Sequence, residues 1–155
     1  MKGNEKIIKC LDTLLADELN AIGQYMVHAE MCANWGYGKL NDTIKKRAIE
    51  EMKHAERLIE RILFLEGIPD VSGMEKVSIG SDIEKQFKND RDSEEKANQA
   101  YNKAIALCMN TGDNGTADIL RSILADEEKH LDWLETQISL IGQIGAKNYL
   151  IEQLN

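Results

Sequence analysis

A glutamate and a histidine interrupt the apolar face of two different helical segments. Glu51 and His54 lie in RAIEEMKHAERLIERILFLEG, and Glu127 and His130 lie in RSILADEEKHLDWLETQISLIG. Both segments repeat apolar residues with the spacing of an amphipathic helix, and each Glu-x-x-His falls on that apolar stripe. Because an ionised carboxylate in an apolar core is strongly unfavourable unless it is paired or bound to a cation, these two pairs restrict the folds open to the chain.

The rest of the sequence is also typical of a helical protein, with one proline in 155 residues. The periodic segments and their flanking glycines predict four long helices and one short one. We place the long helices at residues 4–34, 39–66, 81–111 and from 113 or 114 to between 142 and 145, and the short one in AKNYLIEQLN. Gly67 is the expected C-terminal cap of the second helix. Ser81 and Glu84 have the spacing of a capping box at the start of the third.

The connections between these segments predict the topology. Tight joints after the first and third helices predict two antiparallel hairpins, whereas GIPDVSGMEKVSIG is long enough to travel the length of a bundle. Two hairpins joined by one long crossover is the ferritin-like arrangement. We therefore predict an all-α fold in a single domain at residues 1–155, a ferritin-like four-helix bundle with a short C-terminal fifth helix.

The two halves of the chain share one internal register. Glu127 follows Glu51, and His130 follows His54, by 76 residues (127 − 51). The same offset relates three further pairs, Glu18 and Glu94, Tyr25 and Tyr101, and Cys32 and Cys108. Helical spacing places Glu18 and Glu94 among apolar residues as well. Four glutamates and two histidines are therefore expected to point into the bundle.

A pair of divalent metal ions would remove the repulsion among four buried carboxylates. One glutamate from each of two helices and Glu-x-x-His from the other two is the ligand set of di-iron carboxylate proteins. Oxygen-rich sites with a few imidazoles suit iron or manganese. A single Glu-x-x-His is more often a solvated ion pair, as we expect for the surface glutamates Glu50, Glu56 and Glu60. The shared register of six residues favours the metal site.

Composition argues against several other classes of protein. A net charge of −8 is not that of a general nucleic-acid binder, which needs a basic surface. Cys10, Cys32 and Cys108 form no CxxC pair, which argues against a rubredoxin-type or zinc-ribbon site. The sequence has no apolar run of about 18 residues and no apolar signal-peptide core near its start, so we expect a cytoplasmic protein.

The chain resembles the bacterioferritins over essentially its whole length. The resemblance lies in MKGNEKII, LADELNAIGQY, IEEMKHAERLIERILFLEGIP, LADEEKHLDWLE and KNYLIEQLN. It implies an iron-storage shell of 24 subunits built from two-fold dimers. Each subunit would be a ferroxidase that oxidises Fe(II) with oxygen or peroxide and passes Fe(III) to a mineral inside the shell.

The resemblance also implies roles for the six residues in register. Glu18 and His54 would bind one iron, Glu94 and His130 the other, and Glu51 and Glu127 would bridge the two. Tyr25, on the same face as Glu18, is either a hydrogen-bond donor or one-electron relay beside these ligands, or a buried aromatic residue whose hydroxyl is merely satisfied.

The resemblance implies a second cofactor, which Met52 would bind. The resemblance implies a b-type haem shared between two subunits, with Met52 of each as an axial ligand. The alternative is a methionine that fills a dimer contact, as Met26 and Met31 would.

Four further expectations are weaker. An iron-uptake pore through the shell would be lined by Asn34, Glu66, Asp132 and Thr136, and a small ferredoxin would donate electrons for iron release. The chain departs from the family at Lys45, Lys46 and Arg47, where members often carry a histidine and acidic groups, so an auxiliary iron site on the cavity side is not expected. His28 lies about 80° around its helix from Glu18 and is expected at the surface or in an interface.

Two other functions fit the same bundle. One is a small di-iron peroxide reductase of the rubrerythrin type, although that class usually carries cysteine-bound iron. The other is a structural or regulatory bundle that binds metal only for stability. The short fifth helix and the pore positions favour storage. Particle mass separates these readings, because 24 chains of 17.5 kDa give about 420 kDa.

Overall fold

The computed structural model describes residues 1–155 and confirms the predicted all-α fold. It contains five helices, α1 (Glu5–Asn34), α2 (Gly38–Phe64), α3 (Ile83–Asn110), α4 (Asn114–Ile144) and α5 (Ala146–Ile151). Each long helix begins and ends within two residues of its predicted bounds. None of the helices combines the length and the apolar composition that a bilayer span requires.

The helices form two hairpins joined by one crossover, as a ferritin-like bundle requires. α1 packs along α2 and α3 along α4, and the two hairpins meet where α1 contacts α3 and α2 contacts α4. The crossover segment, residues 65–82, returns the chain to the opposite end of the bundle. α3 therefore runs antiparallel to α1, so that Tyr25 meets Glu94 while Tyr101 meets Glu18.

The end of α2 differs from the prediction that Gly67 is its C-terminal cap, because the cap residue is Leu65. The left-handed residue is Glu66, with φ of 63°, and the Gly67 N–H donates to the Ile62 carbonyl at 2.9 Å. Gly67 is needed for a different reason, because a Cβ there would lie 2.9 Å from the Ile8 side chain of α1. By contrast, α1 is followed by Gly36 with φ of 89°, the usual residue for such a helix end.

The start of α3 also differs from its prediction. Asp82 rather than Ser81 is the N-cap, and its carboxylate accepts a hydrogen bond from the Lys85 N–H at 2.9 Å. Asp113 caps α4 in the same way, accepting from the Thr116 N–H at 3.0 Å, as the prediction of a start at 113 or 114 requires.

The core consists of two apolar clusters with a polar layer between them. One cluster lies at the end of the bundle where α1 begins, and it includes Leu11, Leu15, Leu58, Ile62 and Leu120. The other lies at the end where α4 finishes, and it includes Ala29, Leu40, Ile44, Phe87 and Leu134. The short helix α5 closes this second end, because Tyr149 is buried against Phe87 at a ring distance of 6.1 Å. The polar layer contains the candidate site.

Candidate metal centre

The six residues predicted from the internal register come together in the polar layer. We call them the carboxylate–histidine centre, and they are Glu18 on α1, Glu51 and His54 on α2, Glu94 on α3, and Glu127 and His130 on α4. Each has an exposed fraction of 3% or less. The apolar stripes of all four helices bring these polar groups inward, since each lies on the face that its helix buries.

Both imidazoles direct Nδ1 at the carboxylates. His54 Nδ1 lies 2.8 Å from Glu127 Oε1, 3.4 Å from Glu51 Oε2 and 3.7 Å from Glu18 Oε1. His130 Nδ1 lies 2.9 Å from Glu51 Oε1, and it faces Glu94 and Glu127 at 3.6 and 3.7 Å. The two imidazole rings lie side by side, with 6.3 Å between their centroids.

These contacts divide the centre into two sets of four ligand groups. One set is Glu18, Glu51, His54 and Glu127, and the other is Glu51, Glu94, Glu127 and His130. Within each set, one ligand atom from every residue lies within 4.8 Å of the others. Glu51 and Glu127 belong to both sets, so each could bridge two metal ions while the other four residues serve one ion each.

The other ring nitrogen of each histidine contacts an outer carboxylate. His54 Nε2 lies 3.0 Å from Asp126 Oδ2, and His130 Nε2 contacts Glu50 Oε2. The sequence predicted that Glu50 is a solvated surface residue. It is half exposed, but its carboxylate contacts His130. An N–H directed at these carboxylates leaves the Nδ1 lone pair free for a metal ion. The internal register contained the signal, because the 76-residue offset also relates Glu50 to Asp126.

Two buried tyrosines hold the outermost glutamates. The Tyr25 hydroxyl donates to Glu94 Oε1, and the Tyr101 hydroxyl donates to Glu18 Oε1. Both interpretations of Tyr25 stay open, because this hydrogen bond places a donor on a predicted ligand and also satisfies the buried hydroxyl. Tyr101 was not singled out, although the register pairs it with Tyr25. The second oxygen of each glutamate, Glu18 Oε2 and Glu94 Oε2, is buried and has no hydrogen-bond partner. Free carboxylate oxygens facing a shared space suit a cation.

The pKa values of two glutamates and both histidines of the centre are raised. Burial raises the pKa of Glu18 well above its usual range, and burial together with Glu127 raises the pKa of Glu94 to about 7. Burial also disfavours a charged imidazole, but the surrounding glutamates outweigh it and raise the pKa of His130 to about 11 and that of His54 still further. A metal ion that binds these ligands would therefore compete with protons.

A cavity of about 250 Å³ extends from the centre to the protein surface. Its inner wall includes all four glutamates of the centre, and its outer wall includes the exposed residues Asp17, Glu75, Lys76 and Lys96. Part of the crossover segment, residues 75–78, forms one side. Burial and the neighbouring Glu75 raise the pKa of Asp17.

The prediction that His28 lies at the surface or in an interface was wrong. His28 has an exposed fraction of 0% because the crossover segment covers it, and its Nε2 accepts a hydrogen bond from the Gly80 N–H at 3.0 Å. Its Nδ1 lies 2.9 Å from Asp90, which also accepts from Gln24 Nε2 at 2.8 Å. The Gln24 carbonyl in turn accepts from the Ser78 N–H at 3.2 Å. This network fixes the crossover segment on α1 and α3.

Met52 lies outside the centre, about 100° around α2 from Glu51 on the buried stripe. Its side chain is 45% exposed, as is that of Ile49 one helical turn earlier. An exposed thioether beside exposed apolar groups is chemically suited either to a haem or to an apolar contact with a second chain.

The four predicted pore residues do not meet within one chain. Asn34, Glu66, Asp132 and Thr136 are all exposed. Asn34 ends α1 whereas Glu66 follows α2, so these two lie at opposite ends of the bundle. A pore lined by all four would require several subunits and stays a prediction.

Two of the three basic residues at which the chain departs from the family have partners within the chain. Lys45 pairs with Glu30 at 3.4 Å, and Arg47 lies over the Trp133 ring at 5.7 Å.

The chain is similar to known proteins over nearly all of its length. Residues 8–144 match the Ferritin family, described as a ferritin-like domain. The chain is 37% identical over 149 residues to a bacterioferritin of Mycolicibacterium paratuberculosis, covering 96% of this chain and 94% of that protein. It is 38% identical over 151 residues to a bacterioferritin of Rhodobacter capsulatus, covering 97% and 94%. A bacterioferritin of Brucella melitensis is 37% identical, covering 96% and 92%.

Proposed function

The chain belongs to the bacterioferritin family, a family of iron-storage proteins, and on that premise we propose that it oxidises Fe(II) at the carboxylate–histidine centre and stores the Fe(III) produced inside a shell of its own copies. The observation that carries this proposal is the pair of ligand sets that share Glu51 and Glu127. Four carboxylates match the charge of two Fe(II) ions, and two imidazoles complete the donor set of a di-iron carboxylate site.

Each residue of the centre has a role in binding the two substrate ions. Glu18 and His54 hold one Fe(II), Glu94 and His130 hold the other, and Glu51 and Glu127 bridge them. Asp126 and Glu50 orient the imidazoles, while Tyr101 and Tyr25 orient the outermost glutamates. These supports hold the ligands in place before iron arrives, which reduces the reorganisation that accompanies its oxidation.

Two adjacent Fe(II) ions supply two electrons together. With oxygen as the oxidant, two Fe(II), one O₂ and two protons give two Fe(III) and one hydrogen peroxide. With peroxide, two Fe(II), one H₂O₂ and two protons give two Fe(III) and two waters. Because both electrons leave in one event, neither reaction releases a one-electron oxygen radical. Tyr25 contacts the ligand Glu94 and is the candidate for a one-electron relay.

Aerobic Fe(II) loading followed by gel filtration tests the storage function. We expect the protein to elute as a 24-subunit particle of about 420 kDa, given chains of 17.5 kDa, and to retain hundreds of iron atoms per particle. A Glu127→Gln variant, which loses one bridging carboxylate, should assemble but load iron slowly. Retention of about two irons per chain on a small species would contradict storage and favour a di-iron peroxide reductase of the rubrerythrin type.

We also propose that Met52 binds a b-type haem between two subunits related by a two-fold axis. The exposed thioether and its apolar neighbour Ile49 support this role, and a bound haem would carry single electrons to or from the protein. A small ferredoxin is the proposed donor of electrons for iron release, and the cytoplasm is the proposed location.

Reconstitution with haemin tests Met52 against a matched methionine. We expect the purified protein to take up one haem per two chains with the absorption spectrum of bis-methionine ligation. Met52→Leu should lose that spectrum, whereas Met26→Leu, which alters another exposed methionine, should keep it. Equal spectra for the two variants would make Met52 an apolar contact only.

A further inference from the structure

The crossover segment is fixed to the bundle by a buried histidine that has a partner on each side of its ring. His28 lies on α1 with an exposed fraction of 0%. Its Nδ1 lies 2.9 Å from Asp90 Oδ1 on α3, and its Nε2 accepts a hydrogen bond from the Gly80 N–H at 3.0 Å. His28 is therefore the point at which α1, α3 and the crossover segment meet, and it lies outside the carboxylate–histidine centre.

These two contacts require a neutral imidazole with its hydrogen on Nδ1. Nε2 must keep its lone pair to accept from Gly80, so the ring hydrogen is on Nδ1 and is donated to Asp90. A second hydrogen, on Nε2, would face the Gly80 N–H across 3.0 Å and replace a hydrogen bond by repulsion between two donors. Protonation of His28 is therefore incompatible with the observed position of Gly80.

Gly80 cannot move toward α3 to avoid that repulsion. A Cβ at Gly80 would lie 2.3 Å from the Gln86 backbone N, so the crossover backbone already packs closely against α3. The Gly80 carbonyl also accepts from Gln86 Nε2 at 3.4 Å, and the Gly80 N–H has no acceptor in the fold other than His28. Relief of the repulsion therefore moves Gly80 away from both α1 and α3, together with the adjoining part of the crossover segment.

The surroundings of His28 support a charged imidazole once Gly80 has moved. Asp90, itself buried, is the only ion-pair partner of His28, and no charged group of α2, α4 or the crossover segment pairs with it. Asp90 Oδ1 also accepts from Gln24 Nε2 at 2.8 Å. Burial raises the pKa of Asp90, and the hydrogen bonds from His28 and Gln24 oppose that rise. A carboxylate held beside the ring favours the imidazolium form.

The other ionisable groups near this pair offer no competing cation. Burial raises the pKa of Cys32 to about 12 and that of Tyr25 well above its usual range, so both are neutral near pH 7. Glu94 lies one turn along α3 from Asp90 and adds only negative charge. Asp82, two residues from Gly80, is exposed and caps α3. A proton that enters this part of the fold is therefore held between His28 and Asp90.

We propose that His28 is a pH-sensitive switch of the crossover segment: the neutral ring binds Gly80 and holds residues 78–82 on the bundle, and the protonated ring keeps Asp90 and releases Gly80. Because the released form carries one more proton than the bound form, the free energy of release falls as the pH falls. Release occurs in the range in which imidazoles take up a proton, about pH 8 to 5. This inference follows from the fold and does not depend on iron oxidation or storage.

Hydrogen exchange of backbone amides, followed by mass spectrometry of the full chain, tests the switch. We expect the peptide covering residues 77–82 to lose protection by on the order of tenfold between pH 7 and pH 5, after correction for the pH dependence of intrinsic exchange. The peptide covering residues 7–15, in the first apolar cluster, should keep its protection over the same range.

His28→Gln is the most informative variant, because glutamine can make both contacts and cannot take up a proton. Its side-chain oxygen can accept from Gly80 while its nitrogen donates to Asp90, so residues 77–82 should be equally protected at pH 7 and pH 5. His28→Ala lacks both contacts and should leave these residues poorly protected at both pH values.

Asp90→Asn identifies which member of the pair takes up the proton. Asparagine keeps the oxygen that accepts from Gln24 and His28 but removes the charge that supports the imidazolium. The loss of protection should therefore shift to lower pH by about one unit or more. Asp92→Asn, which alters an exposed neighbour, is the matched control and should follow wild type.

Three results would overturn the inference. Wild-type protection that is the same at pH 7 and pH 5 would show that Gly80 is not released. A wild-type pH dependence in His28→Gln would assign the response to another group. Loss of the pH dependence in Asp90→Asn would make Asp90 the titrating residue. If His28→Gln is poorly protected at both pH values, the direction of the Asp90→Asn shift decides. Iron loading of the same proteins tests the proposed function separately.

Discussion

At the scale of single residues, each histidine of the carboxylate–histidine centre has two different neighbours. His54 presents Nδ1 to the glutamates and Nε2 to Asp126, and His130 does the same with Glu50. Sequence reasoning identified the six central residues because they lie on apolar stripes in one register. It did not identify Asp126 and Glu50, because each supports a histidine on the facing helix and looks like a solvated acid when its own helix is viewed alone.

Removal of the outer carboxylate should weaken metal binding at one half of the centre. Asp126→Ala leaves the His54 ring without its Nε2 partner, and we expect the Co(II) affinity of that half to fall roughly 10- to 100-fold. Isothermal titration calorimetry should show one weakened and one unchanged binding event. Glu128→Ala, an exposed neighbour on α4, is the control. Equal affinities for both variants would mean that Asp126 does not support His54.

Metal binding should release protons and strengthen as pH rises. The pKa of His130 is raised to about 11 and that of His54 still higher, so both imidazoles carry a proton near pH 7. A metal ion binds the deprotonated ring and must displace that proton, so a lower proton concentration favours binding. Calorimetric titration of Co(II) in buffers with different ionisation enthalpies would count the protons released. An affinity independent of pH between about 6 and 8 would show that both imidazoles are already neutral before the metal binds.

At the scale of helices and connections, the existence and pairing of the elements were predictable and their local ends were not. Periodicity and glycines identified four long helices, and the length of the crossover segment identified the topology. The position of His28 could not be predicted from α1 alone, because it is the crossover segment, through Gly80, that buries it. Likewise, Gly67 signalled a helix end correctly but is required by contact with Ile8, which only packing reveals.

Replacing the left-handed residue at the end of α2 by glycine should stabilise the folded protein. Glu66 adopts φ of 63°, a conformation that costs about 1 kcal/mol for a residue with a Cβ and little for glycine. We expect Glu66→Gly to increase the free energy of unfolding by about 1 kcal/mol relative to Glu66→Ala, in which the Met1 contact is equally lost. Urea denaturation of both variants would measure the difference. Equal stabilities would indicate that the helix end relaxes around alanine.

At the scale of the whole molecule, the carboxylate–histidine centre lies between two apolar clusters. Each cluster includes residues from all four long helices, so the helices that build the two apolar ends also carry the buried carboxylates and histidines. Sequence reasoning predicted the inward-facing glutamates and histidines from the repeated Glu-x-x-His and the shared register. It could not predict the cavity beside the centre, because that space depends on where the crossover segment lies.

Replacing Glu94 by a neutral glutamine should therefore stabilise the metal-free protein and weaken its metal binding. The pKa of Glu94 is raised to about 7 in the fold, so its contribution to stability is full below its ordinary value of 4.5 and is lost as pH rises through about 7. At pH 8 with a chelator, Glu94→Gln should be more stable than wild type by about 1 kcal/mol or more. Excess Co(II) should reverse the order, since saturating ligand at 1,000 times its Kd adds about 4 kcal/mol to wild type. Glu95→Gln, which alters an exposed neighbour, should change neither value, and thermal unfolding would measure all three proteins.

The internal register has a consequence for the ancestry of the fold. Tyr25 holds Glu94 while Tyr101 holds Glu18, and Asp126 supports His54 while Glu50 supports His130, so every contact occurs twice with the two hairpins exchanged. The two hairpins of one chain are therefore related in the way that the two subunits of a symmetric homodimer would be. A single helical hairpin with one glutamate and one Glu-x-x-His would have needed only a second copy of itself to build the entire centre, and duplication with fusion through the crossover would have made that pairing permanent. His28 and Asp90 have no counterparts at the 76-residue offset, and their contact secures the crossover that joins the two hairpins.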